Sequence, residues 1–191
     1  MRAFARILLI LFFSAITLTA APEIVNENLL MDPAVKKIDE MITELHTKTG
    51  VSVVLHAKKS LGNQNIVDYE KNISASLASP YVLLVLADKE QKVDIVVSKD
   101  LAGIVEKNNI LNNFIIPIIS ASDKNTQISR YSAAILNGVA EIVDETAKSK
   151  DVILLSSIGD ESKNTTNVIR FIVYGLTAIL VIGTIYRRFT A

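Results

Sequence analysis

The side chains best suited to chemistry are carboxylates gathered around one short charged turn. Asp88, Glu90 and Asp94 lie within a few residues of each other, and Asp100 and Glu106 follow in the next loop. A hard divalent cation such as Ca²⁺ or Mg²⁺ takes several oxygens from converging segments. Asp88, Asp94 and Asp100 are therefore the residues from which a metal site would be assembled, with Glu106 as an alternative donor. The competing expectation is a solvated hairpin tip with no cofactor, because Lys89 and Lys92 compete for the same oxygens. His46 and His56 each stand alone in the sequence and read as structural side chains. There is no cysteine, which excludes disulfides, thiolate metal sites and a cysteine nucleophile. No nucleotide-binding loop, zinc-helix motif or nucleophile elbow is present. Between Asp32 and Lys148 the sole arginine is Arg130, so phosphoryl chemistry would have to lean on a metal.

The elements that must position these residues centre on Tyr81–Ser98, YVLLVLADKEQKVDIVVS. Tyr81–Ala87 is an unbroken apolar run, short for a buried helix and suited to a strand covered on both faces. Asp88–Lys92 is wholly polar, and Val93–Val97 is β-branched again apart from Asp94. Two strands joined by a charged turn make a hairpin. Upstream, Asp32-Pro33 opens a helix. Val35, Ile38, Ile42 and Leu45 share one of its faces, and Gly50 stops it. Val51–Ala57 reads as a buried strand. Ile66, Tyr69, Ile73 and Leu77 mark a second amphipathic helix to about Ser79, ended by Pro80. Strand, helix and strand form a βαβ unit with parallel strands. Downstream, Leu101–Lys107 reads as a short helix and Leu111–Ile119 as a buried helix kinked at Pro117. Ile128, Tyr131, Ile135, Val139, Ile142 and Thr146 mark a long helix to about Lys148. Asp151–Ser157 reads as an edge strand or a linker. The expected architecture is α/β, a small central sheet with helices on both faces, plus a C-terminal transmembrane helix.

Both ends of the chain carry membrane signals. Arg2 and Arg6, an apolar run over Ile7–Leu18 and the small residues before Pro22 make 1–21 a signal peptide or an uncleaved anchor. Residues 149–167 read as a linker and 168–186 as an apolar run whose only charge is Arg170. At 1.5 Å per residue, about nineteen residues just span a bilayer core of about 30 Å. Arg187-Arg188 beyond the run, against Asp160 and Glu161 before it, puts tail 187–191 in the cytoplasm and the main domain outside. The expected location is the inner membrane, single-pass, with the domain on the periplasmic side. Asn72 and Asn164 both sit in Asn-x-Ser/Thr acceptors. Lys+Arg and Asp+Glu balance at 20 each, so nothing points to nucleic acid. Gly175 and Gly183 are too far apart for the tight helix-pairing motif, which weakens an oligomerising scaffold.

In order, the chain has a helix ending Thr49-Gly50, the VSVVLHA strand, and Ser60-Leu61-Gly62. A helix with Asp68-Tyr69-Glu70, the VLLVLADKEQKVDIVVS hairpin, an Ile-Ile-Pro segment and a long amphipathic helix follow. This succession resembles the TPM domain family over roughly Asp32–Lys148. The resemblance also extends to layout: an export signal, one α/β domain and a C-terminal membrane helix. It implies an acid phosphatase activity with a divalent cation and, in plastid relatives, a role in photosystem repair. The segments Ser76–Pro80 and Ser98–Ala102 lack the glycines that family members carry there, and they border the sheet edge where open α/β folds bind ligands. On this basis the expected role is that of a non-catalytic accessory or assembly factor for a membrane protein complex. A divalent-cation-dependent phosphatase and a membrane-oligomerising scaffold are the alternatives.

Overall fold

The structure, a computed structural model, describes residues 21–122 and 124–158. Four strands form one mixed sheet, β1 (Glu23–Asn26), β2 (Ser52–Lys58), β3 (Tyr81–Ala87) and β4 (Lys92–Val97), and their order across the sheet is their order along the chain. β1, β2 and β3 run parallel, with Val25 opposite His56 and Leu55 opposite Leu84. β4 returns antiparallel, with Leu84 opposite Ile95 and Val85 opposite Asp94. The βαβ unit and the hairpin are therefore present as the sequence implies. β1 is an addition: it lies ahead of Asp32, where the sequence reading began the domain.

β3 shows why its apolar run is unbroken. Successive side chains of a strand point to opposite faces. Val82, Leu84 and Leu86 enter one core, while Leu83, Val85 and Ala87 enter another. The larger core is closed by α1 (Asp32–Thr49) and by the long helix at the far end of the chain. On α1, Ile38, Met41, Ile42 and Leu45 are fully buried. Gly50, at φ 72°, ends α1 by giving its N–H to His46 O at 2.8 Å, a left-handed turn that glycine adopts without strain. The smaller core is roofed by α2 (Ile66–Ser74), which Asn65 starts by accepting the Asp68 N–H at 2.9 Å. α2 stops at Ser74, several residues before the expected Ser79. Ser74 and Ser76 turn their hydroxyls onto the carbonyls of Lys71 and Ile73, which competes with continuation of the helix. Leu77 still packs on the sheet beyond that end.

After β4 the expected helix at Leu101–Lys107 is only a 3₁₀ turn, Lys99–Leu101. Helix proper starts at Lys107, as α3 (Lys107–Ile110), a π-helical stretch Leu111–Ile115 and α4 (Ile116–Ile119). Pro117 has no N–H for the preceding turn, and the widened turn falls just before it. Ile110, Leu111 and Ile115 point inward, whereas Ile116 is exposed, so this segment is buried along one side only. α5 (Gln127–Ser149) crosses the larger face, with Thr126 accepting the Ser129 N–H at 3.2 Å. Gly138 lets α5 approach the π-helical stretch: a methyl group there would collide with the Ile115 side chain.

Helices thus cover both faces, unequally. Residues Val152–Ser157 are neither strand nor free linker. Val152 donates to Ala147 O at 2.9 Å and Leu154 is buried against α1 and α5. Among the described residues no helix is long and apolar enough to cross a membrane. The signal segment apart from Ala21, and the apolar run 168–186, lie outside the described residues.

Candidate functional site

The C-terminal ends of β1, β2 and β3 share one edge of the sheet, and the hairpin turn closes that edge. Asp88 N–H donates to Lys58 O and Lys89 N–H to Lys59 O, both at 3.0 Å, so the turn is stitched to the exit of β2. The carboxylates there act as fasteners. Asp88 Oδ1 accepts the hydroxyl of Tyr131 and the amide of Gln127, each at 2.7 Å, which pins the turn to α5. Glu90 Oε1 accepts Ser60 Oγ–H at 2.9 Å and Leu61 N–H at 3.1 Å. Burial opposes the Glu90 charge, but these donors hold its carboxyl below the usual range. Tyr131 is pushed above its ordinary value by burial and by its bond to the Asp88 carboxylate.

Beside the turn lies a cavity of about 440 Å³. Ile66, Leu86, Val93, Ile116, Ile119 and Tyr131 give it an apolar lining, and Gln91, Lys92, Asp94 and Ser120 give it polar points. A concave, mostly apolar site with a few polar groups, at the carboxyl edge of a parallel sheet, is where such folds bind ligands.

The three residues named for a metal do not converge there. Asp88 lies past the C-terminal end of β3. Asp100 accepts a hydrogen bond from Ser79, just ahead of the start of β3, so a whole strand of roughly 20 Å separates the two. Asp94 is mid-strand on β4, on the α2 side, where Lys107 Nζ approaches its Oδ1 at 3.4 Å. Among the described residues no group of three or more His, Asp or Glu side chains is placed to hold a metal ion. The donor set therefore does not fit a Ca²⁺ or Mg²⁺ ion bound by Asp88, Asp94 and Asp100 together.

The sequence reading passed over the most unusual carboxyl. Glu70, on the inner face of α2, is buried, and its Oε1 has no hydrogen-bond partner among the described residues. Burial first, and the nearby Asp94 carboxylate second, raise its pKa to about 7, with Lys107 opposing. The signal was present: Glu70 follows Ile66 by four residues, so it lies on the apolar stripe with Tyr69 and Ile73. His56 is another buried polar residue of the same face. Its Nδ1 lies 2.7 Å from Tyr69 Oη, the rings meet edge to face, and its Nε2 has no partner among the described residues. Burial lowers its pKa, against the pull of Glu23, and favours the neutral ring. His46 lies 3.2 Å from Ser52 Oγ.

An open α/β sheet with a cleft at its carboxyl edge defines the broad class of this protein. The TPM domain model matches residues 24–145, and the chain belongs to the TPM domain family. The matched span takes in β1, in agreement with the four-stranded sheet. Among solved structures it is similar to the N-terminal domain of a protein from P. gingivalis, at 15% identity and a TM-score of 0.51. That likeness covers 66% of this chain and 82% of the other, and it shows the fold alone. It is also similar to the BA42 protein of Bizionia argentinensis, at 17% identity and a TM-score of 0.47, over 69% of this chain and 95% of that one. A search of curated proteins gives no match.

Proposed function

We propose that this chain is a membrane-anchored TPM-domain protein acting outside the cytoplasm, as a non-catalytic accessory factor in the assembly or upkeep of a membrane protein complex. The observation that carries the reading is the cleft. Its walls are largely aliphatic, and the neighbouring carboxylates Asp88 and Glu90 are engaged in fastening the hairpin. Such a lining suits apolar side chains of a protein partner better than a phosphate ester. The sequence supports the anchoring: 168–186 has the length to span a bilayer, and the flanking charges set its direction.

The test is photocrosslinking in cells from Ile116 and Val93 of the full chain, with Val67, on the outer side of α2, as the control position. Capture of one membrane protein from the first two positions only supports the reading. Divalent-cation-dependent hydrolysis of a phosphate ester, abolished by Asp88→Ala, with no site-specific crosslink, would replace it with the phosphatase alternative. Orientation is tested separately with a reporter active only outside the cytoplasm. It should work when fused after Lys150 and fail after Ala191.

A further inference from the structure

The segment that leaves the domain is held in a particular way. From Val152 to Leu155 the side chains alternate: Val152 and Leu154 face the larger core, while Ile153 and Leu155 are 70% and 83% exposed. The segment is not loose. Glu44 of α1 accepts Leu155 N–H at 2.9 Å, Ser156 N–H at 2.7 Å and Ser156 Oγ–H at 2.5 Å. Lys48 bonds both Glu44, at 2.6 Å, and Ile153 O, at 2.8 Å, and Ser157 bonds Asp144. Burial opposes the Glu44 charge, yet these donors hold its carboxyl at about pKa 2. The fold thus fixes a strap that presents two large aliphatic side chains outward on one side, roughly 7 Å apart.

We propose that this strap is a membrane-docking surface, with Ile153 and Leu155 inserting into the outer leaflet beside the anchor. This inference rests on the anchoring proposed above. The argument for lipid as the occupant is the chain that follows. Only 159–167 separates Ile158 from the apolar run, and those residues reach at most about 30 Å when extended. An inserted run therefore keeps the strap close to the bilayer, where even a weak contact is favoured by high effective concentration. Lys48, Lys148 and Lys150 are exposed nearby, but Asp151, Glu141, Asp144 and Glu145 are neighbours too. Attraction therefore comes from the aliphatic pair, and docking should depend little on salt.

The absence of native cysteine makes the test direct. Full-length protein carrying one of Ile153→Cys, Leu155→Cys, Val67→Cys or Leu180→Cys is labelled with an environment-sensitive fluorophore. It is then reconstituted in phosphatidylcholine–phosphatidylglycerol vesicles containing spin-labelled lipid. The expected result is loss of emission at 153 and 155 at both low and high salt, none at 67, and strong loss at 180. Water-like emission at 153 and 155 with quenching at 180 would overturn the docking and leave the anchor standing. No quenching at 180 would overturn both. Emission at 153 and 155 shielded from water but not quenched by lipid would assign the surface to a protein neighbour and also overturn the proposal.

Discussion

The two faces of the sheet are built on different terms. The larger one, under α1 and α5, is aliphatic: Leu55, Leu84 and Ile95 meet Ile38, Ile42, Ile135 and Val139. The smaller one, under α2, has six buried apolar residues in its core and must share its space with His56, Glu70 and Asp94. A nine-residue helix cannot exclude water from a four-stranded sheet as completely as two helices of 18 and 23 residues can. Polar groups are tolerated where cover is thin, and they are shifted from their ordinary behaviour because the cover is not absent. Dense apolar packing and shifted titratable groups are thereby assigned to opposite sides of the same strands.

The largest expected effect is on the aliphatic side. Leu84→Ala should cost about 2–5 kcal/mol in denaturant unfolding, as a large side chain is lost from a packed interior. A cost below 1 kcal/mol would mean that this face is no better packed than the other.

Next comes Glu70. Its folded pKa is raised, so the stability it allows is fully present below about 4.5 and is lost as pH rises through about 7. Glu70→Gln should flatten that decline and stabilise the protein at pH 8 by up to about 3 kcal/mol, the shift converted at 1.36 kcal/mol per unit. Parallel pH–stability curves for the two proteins would show that the smaller face is not the place where charge is costly. A smaller effect is expected at Gly138→Ala. Overpacking against Ile115 costs about 1–3 kcal/mol, of which alanine's better helix propensity returns at most about 1. Val67→Ala, on the exposed side of α2, should stay within about 0.5 kcal/mol.

The aliphatic side was legible in the sequence. The stripes of α1 and α5 repeat with the period of a helix, and Tyr81–Ala87 stands out as an unbroken apolar run of strand length. β1 was not legible, because four residues so soon after the apolar stretch 7–18 show no period of their own; β2 supplies their pairing. The end of α2 was missed because serine hydroxyls, rather than Pro80, stop it. The candidate site was legible only in part. Asp88 was read as the carboxylate that follows the buried strand, and the cleft does lie beside it. The ligand edge, however, was expected beside Ser76–Pro80 and Ser98–Ala102, and these segments lie at the amino end of β3, where Ser98 N–H donates to Tyr81 O and Asp100 meets Ser79. A line of sequence does not show which end of the sheet a loop returns to. Glu70 was hidden by its charge, which suggested solvent although its spacing put it inside.

The order of the strands has a consequence for synthesis. Because the sheet grows in the order in which the chain emerges, each new strand finds its neighbour already made, and no strand has to be inserted between two others. The large face is different. Met31 N–H, at the head of α1, waits for Ser132 Oγ of α5, 101 residues later, and the apolar stripe of α1 is uncovered until then. A nascent chain halted before Gln127 should therefore carry a formed hairpin over an open core, remaining sensitive to protease and retained by holding chaperones. Protection appearing abruptly as α5 clears the exit would show α5 to be the element that closes the domain.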